Sequence, residues 1–208
     1  MEIVFAGFGG QGVLTAGLIV AEMALENGKN VTWMPAYGPT MRGGKAYSVV
    51  KYADGMIGGP DMEELDALVA MNEPSLAYSA YLKEGGMLIV NTNNVSDDAE
   101  ISDKFDVFRL PCLTLAQEAN NPKAANIVAI GALIGKCGLF PVEQAKAVLK
   151  QIFVSKGKEK YTAMNEAAFV PPRRGRTGAG LKQAGKFEIN RKFIDFPCIF
   201  ALINSIML

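Results

Sequence analysis

The chain opens Met1-Glu2-Ile3-Val4-Phe5-Ala6-Gly7-Phe8-Gly9-Gly10-Gln11-Gly12, and this stretch decides the fold class. Ile3, Val4 and Phe5 form a short apolar run of strand character. A glycine-dense turn comes next. Val13 to Glu26 then carries Leu14, Leu18, Ile19, Met23 and Ala24 at helical spacing, with Glu22 and Glu26 on another face. Strand, turn and helix make the first half of a βαβ unit. Gly7, Gly9 and Gly12 satisfy the spacing G-x-G-x-x-G, which serves a tight turn, close approach of a ligand and helix–strand packing. Free amides and the dipole at the helix start favour an anion there. The same spacing also fits a turn that is only tightly packed.

The next strand tests this turn. Asn27-Gly28 ends the helix, and Val31 to Met34 reads as a second strand. A dinucleotide unit needs Asp or Glu near the end of that strand to hold the ribose hydroxyls. Met34, Pro35, Ala36 and Tyr37 stand there instead, which disfavours ordinary NAD binding. A second glycine-rich loop runs from Tyr37 through Gly38, Pro39, Thr40, Met41, Arg42, Gly43 and Gly44 to Lys45. It falls short of a P-loop, since the lysine comes one place late and Ala46 replaces the magnesium-binding Ser or Thr. Arg42 between glycines still offers a planar cation and bare amides to a phosphate or carboxylate, or a solvated side chain on a surface loop.

The remaining chain alternates strand and helix. Ala46 to Tyr52 reads as a strand, with Met56-Ile57-Gly58 as a short partner across the Asp54-Gly55 turn. Ala67 to Met71, Met87 to Asn91 and Phe105 to Leu110 read as further strands. Helices are expected from Pro74 to about Lys83, closed by Gly85-Gly86, over the apolar stretch Ala124 to Lys136, and from Val142 to Phe153. The expected fold is α/β: a Rossmann-like, doubly wound, mostly parallel sheet with helices on both faces.

Composition removes several classes of function. The 208 residues are half hydrophobic and carry zero net charge, so a substantial core forms without metals or disulfides and nothing draws the whole chain to nucleic acid or membrane. No apolar run reaches the roughly 18 to 20 residues that span a bilayer. Cys112, Cys137 and Cys198 are scattered, which excludes a zinc ribbon or Fe–S cluster held by this chain alone and fits a cytoplasmic protein. There is no histidine, hence no His-based triad and no His metal site. The chain is not expected to be catalytic alone. Its organisation reads as a domain over 1–155 and a tail over 156–208. In the tail, residues 156–192 hold ten Lys or Arg against three Glu and read as a solvated basic stretch, with RNA contact the rival reading.

Laid end to end, Gly7-Phe8-Gly9-Gly10-Gln11-Gly12-Val13, the loop Tyr37-Gly38-Pro39-Thr40-Met41-Arg42-Gly43-Gly44, Asp66 to Asn72, and Asn126 to Ala132 resemble the gamma subunit, or gamma domain, of 2-oxoacid:ferredoxin oxidoreductases. The resemblance covers about residues 1–155. Thr40 stands where that family often has Glu. What it implies is a multisubunit enzyme that decarboxylates a 2-oxoacid to an acyl-CoA and reduces ferredoxin. Thiamine diphosphate, magnesium and Fe–S clusters would sit in alpha and beta partners or a ferredoxin-like delta partner. This chain would hold no cofactor alone and would contact coenzyme A. Gly7, Gly9, Gly10 and Gly12 would give backbone contacts, Gln11 a side-chain amide, and Arg42, flanked by Gly38, Gly43 and Gly44, a cation for coenzyme A phosphates or an acidic partner group. The alternative is a free-standing Rossmann-like nucleotide-binding protein.

Overall fold

Strand β1 (Glu2–Phe8) sends Ile3 and Phe5 to one face and Val4 and Ala6 to the other, all fully buried. Alternate side chains of a strand point to opposite faces, so a strand this apolar needs cover on both. The computed structural model describes residues 1–39, 43–155, 157 and 161–169, and shows how that cover is built. Among the described residues the sheet has six strands, in the order β2 (Asn30–Tyr37), β3 (Lys45–Ala53), β1, β4 (Leu65–Ala70), β5 (Leu82–Asn91), β6 (Asp106–Leu110). β1, β4, β5 and β6 run parallel, while β3 is antiparallel to both β1 and β2. The sheet is mixed and mostly parallel.

The first core lies under the α-helices. Helix α1 (Val13–Glu26), as expected, buries Ala16, Ile19, Val20, Met23 and Ala24 against Ile3, Phe5 and Val50. Helix α2 (Cys112–Glu118), α3 (Ala125–Cys137), α4 (Val142–Ser155) and α5 (Thr162–Ala168) join the same core. The second core, around Val4, Leu68, Leu88 and Val90, is covered by a 3-10 helix (Glu73–Tyr81) and by residues such as Val95, Ile101 and Phe105. The two faces expected to carry helices are therefore unequal.

Five expectations change here. β3 inserts between β1 and β2, so the opening βαβ reading becomes a helix crossover into an edge hairpin. Pro74 opens a 3-10 helix rather than an α-helix, and Gly85-Gly86 lies within β5. There the register against β4 jumps from Leu65–Leu82 to Ala67–Met87, and Gly85 at φ 72 makes the bulge. Residues 54–64 form no strand beside β3. Residues 161–169, assigned to the solvated tail, supply the fully buried Phe169 and Ala168 to the first core. The remainder of the basic stretch, including Arg173, Arg174 and Arg176, lies outside the described residues.

The sheet edge at the amino-terminal ends of the parallel strands carries a group of paired charges. Buried Lys51 on β3 pairs with Glu2 (3.3 Å) and Glu63 (3.0 Å); these bonds outweigh burial and hold its ammonium above the ordinary lysine value. Asp66 on β4 accepts from the Glu2 N–H at 2.6 Å and pairs with Lys83. Burial alone would raise the Asp66 carboxyl, but the bonds from Lys83 and the Glu2 N–H win and lower it. A carboxyl lowered on folding stabilises above its unfolded value, and that contribution is lost as pH falls through the folded value. Asp66→Asn keeps an acceptor for the Glu2 N–H but removes its charge, and should lower stability at neutral pH by about 1–2 kcal/mol, most of it from weakening that bond because Lys83 is half exposed. Urea titrations should show the gap between variant and parent closing below about pH 4; a gap independent of pH would refute this account.

Candidate functional site

The opposite, carboxyl edge of the parallel strands is where the glycines act. The turn after β1 runs from Gly9 to Gly12, with Gly10 at φ 102 and Gly12 at φ 74, a backbone region that favours glycine. Gly12 is the N-cap of α1 and brings no side chain to its first-turn N–H groups. A Cβ on Gly7 would lie 2.7 Å from Gln11 Oε1 and 2.9 Å from Val13 Cγ1, and one on Gly12 would lie 2.7 Å from Asn126 Nδ2. Gly7 and Gly12 are therefore required by packing, whereas Gly10 is open on all sides.

The second glycine loop is the connection of the β2–β3 hairpin, closed by Gly38 N–H donating to Lys45 O at 3.0 Å. It meets the first turn directly. Gly9 N–H donates to Gly44 O (2.8 Å) and Gly43 N–H to Gly9 O (3.3 Å). Gly7, Gly9, Gly10, Gln11 and Gly12 are thus joined to Gly38, Gly43 and Gly44 in one surface, an association that spacing alone did not specify. Arg42 lies outside the described residues.

Gln11 is occupied internally. Its Oε1 accepts from Phe8 N–H (2.6 Å) and Asn72 Nδ2 (2.9 Å), and its Nε2 donates to Met71 O (3.2 Å). Met71 O also accepts from Asn91 Nδ2 (3.2 Å) and Asn94 Nδ2 (3.3 Å). Asn91 Oδ1 receives Cys112 N–H, and Asn93 Oδ1 receives Leu113 and Thr114 N–H, so the start of α2 is capped from the neighbouring loop. Side-chain amides stitch the strand ends together without adding charge.

Beside this surface is a cleft of about 260 Å³, lined by Gly7, Phe8, Lys45, Asn72, Ser75 and Tyr78 among others. It sits where the chain, having left β1 on one side for β3 and β2, returns on the other for β4. Crevices at the carboxyl ends of strands where the order reverses are the habitual ligand sites of open α/β sheets. Among the described lining residues its cation is Lys45, and Tyr47 against Tyr78 (centroids 5.1 Å apart) supports one wall. Lys45 and the tyrosines were missed as site residues; the signal present was a lysine one place late for a P-loop. The dinucleotide reading weakens further, because the end of β2 is separated from β1 by a strand.

The described thiols do not suit metal or redox chemistry. Burial pushes Cys112 up to about 12 and Cys137 up to about 11. Among the described residues no cluster of His, Cys, Asp or Glu would hold a metal ion, and no helix is long and apolar enough to cross a membrane.

Similarity to known proteins agrees with this geometry. The sequence profile of the pyruvate ferredoxin/flavodoxin oxidoreductase family matches residues 2–171. The chain belongs to that family. The match runs past residue 155, through the last described helix. Relatives include the 2-oxoglutarate synthase subunit KorC of Methanothermobacter thermautotrophicus, 38% identical over 157 residues, 72% of this chain and 82% of that one. The ketoisovalerate oxidoreductase subunit VorA of Methanothermobacter marburgensis is 33% identical over 79% of this chain; the chain spans only 34% of VorA. The solved gamma subunit of the keto/oxoacid ferredoxin oxidoreductase from Geobacter sulfurreducens is 32% identical, with TM-score 0.64 over 81% of this chain and 97% of that one. The 2-oxoglutarate:ferredoxin oxidoreductase of Magnetococcus marinus, solved with 2-oxoglutarate, coenzyme A and succinyl-CoA bound, shares the fold at TM-score 0.70 and 23% identity, over 85% of this chain and 33% of that one. By these likenesses the chain is a gamma-subunit homologue.

The packing account of the turn makes a direct prediction. Gly7→Ala should cost about 1–3 kcal/mol of stability, because its methyl meets a glutamine oxygen held by two hydrogen bonds. Gly55→Ala, with nothing within 4 Å of the added methyl, serves as the control. Equal urea midpoints for the two variants would contradict the account.

Proposed function

We propose that this chain acts as the gamma part of a multisubunit, thiamine-diphosphate-dependent 2-oxoacid:ferredoxin oxidoreductase, shaping the coenzyme A side of the site and docking on partner subunits. The observation that carries the reading is the backbone pairing of Gly9 with Gly43 and Gly44 beside a cleft whose cation is Lys45. The Gly9 and Gly43 N–H groups are spent on the pairing, which builds a platform without side chains beside the open start of α1, whose uncapped amides favour negative charge. Gly7, Gly9, Gly10 and Gly12 form this platform, with Gln11 bracing it from within. Arg42, on the same hairpin loop, is assigned to coenzyme A phosphates or an acidic partner group. The complex solved with coenzyme A bound supports the ligand class by its shared fold.

Chemistry that needs a general base near neutrality, a metal or an Fe–S cluster is assigned to alpha, beta and ferredoxin-like partners. The inventory of this chain, without histidine and, among the described residues, with the Cys112 thiol buried, supports that division. In the same reading the sheet is a variant of the doubly wound, Rossmann-like design whose edge hairpin delivers the second loop. Domain 1–155 is the working unit, with the core extended by residues 161–169. Selection among 2-oxoacids is assigned to the partners; relatives named for ketoisovalerate and for 2-oxoglutarate align with this chain comparably well.

Lys45→Ala and Arg42→Ala in the reconstituted complex should each raise the KM for coenzyme A roughly tenfold, the equivalent of about 1.4 kcal/mol for one lost charge-assisted contact. The KM for the 2-oxoacid should stay unchanged. Steady-state kinetics that leave the coenzyme A KM of both variants at the parent value, with assembly intact, would overturn the reading.

A further inference from the structure

The glycine turn is held from an unexpected quarter. Asn126, the second residue of α3 and only 8% exposed, donates from Nδ2 to the Gly12 carbonyl at 3.2 Å, across 114 positions of sequence. That carbonyl also accepts from Ala16 N–H at 2.9 Å, the first hydrogen bond of α1. Its two acceptor positions are thereby filled. The contact is tight: a methyl on Gly12 would sit 2.7 Å from Asn126 Nδ2 and 2.9 Å from its Cγ. Helix α3 itself has little freedom, because Ile127, Val128, Ala129, Ile130, Ala132, Leu133 and Ile134 are all at most 3% exposed.

Gly12 occupies the left-handed region at φ 74, ψ 19, and it is the residue through which the turn enters α1. Its orientation sets where the first N–H groups of α1 point. Gln11 braces the turn at Phe8 and α1 has no side-chain cap, so no side chain of the turn itself holds Gly12. Asn126 supplies one from the core.

We propose that Asn126 is a positioning residue for the anion-binding turn: its amide, carried on the fully packed α3, locks the Gly12 carbonyl and keeps the α1 amides presented to the ligand. It touches Gly12 rather than the ligand. The neutral amide is the chemistry required, since a carboxylate cannot donate to a carbonyl and would place negative charge beside amides meant for an anion. This inference rests on the coenzyme A reading, and the experiment separates the two.

In the assembled complex, Asn126→Ala should raise the KM for coenzyme A roughly three- to tenfold, the range of one lost buried hydrogen bond. Asn126→Asp should raise it further. The kcat and the KM for the 2-oxoacid should hold within about twofold, since the amide acts only on ligand presentation. Asn126→Leu, close in size and better suited to an apolar core, provides the same test if either polar-site variant fails to assemble. Coenzyme A KM values at the parent level in the Ala, Asp and Leu variants would overturn the proposal. So would a uniform loss in kcat and both KM values, which marks a purely structural role. Lys45→Ala run alongside tells the failures apart. A raised KM there with unchanged Asn126 variants removes only this inference, whereas no effect in any variant removes the coenzyme A reading with it.

Discussion

Three side-chain amides, from Gln11, Asn91 and Asn94, converge on the backbone carbonyl of Met71 at 3.2–3.3 Å. The rest of the carboxyl edge depends on this point. A parallel strand that stops inside a covered sheet leaves its last polar groups without ladder partners, and an unpaired buried group costs about 1–3 kcal/mol. Amides from three separate segments meet that demand: the turn after β1, the end of β5 and the loop behind it. Gln11, Asn91 and the neighbouring Asn72 use their oxygens elsewhere. Gln11 receives Phe8 and Asn72, Asn91 receives Cys112, and Asn72 caps the 3-10 helix through Ser75. Strand ends, turn and two helix starts are fixed by one network of neutral groups.

Neutrality has a consequence for the site. Charged partners would satisfy the same backbone groups more strongly, but a carboxylate would repel an anion and a cation would bind one indiscriminately. Among the described residues the buried charges, Lys51 and Glu2, lie at the opposite edge of the sheet, where they pair with each other and with Glu63, next to the Asp66–Lys83 pair. Toward the carboxyl edge, Lys45 stands at the cleft against a background of amides and glycine backbone. On the proposed reading, a cation at the rim of a neutral cradle would select the charged portion of a ligand without fixing the remainder.

The glycine turn was legible because its requirement is local: Gly10 and Gly12 need positive φ, and Gly7 cannot carry a methyl. α1 was legible to the residue, since its apolar positions keep a single helical period. The place of β3 was not, because antiparallel and parallel strands buried on both faces share the same apolar runs. Gly85-Gly86 was misplaced for a similar reason: glycine ends a helix and makes a bulge through the same positive φ, and only the partner strand decides between them. Asn91 and Asn93 carried no signal, and Asn72 and Asn126 entered only as members of the stretches that resemble the family, with no role of their own. An isolated asparagine reads as a turn residue until the segments it ties, up to 114 positions apart, are seen together.

The joining of the two glycine loops gives the reason why this fold suits a chain to which no covalent chemistry is assigned. A Rossmann-type site gains specificity from an acid at the end of the second strand. Here a third strand occupies the place beside β1, and its entering loop comes into backbone contact with the first turn at Gly9. The ribose-selecting position is thereby exchanged for a second glycine-rich loop whose sequence brings Arg42 and Lys45. On the proposed reading such a surface would recognise by shape and by amides that do not titrate. The protein side of that recognition would then lack the pH switch of a histidine-based site, leaving the acid–base demands of catalysis to be met elsewhere.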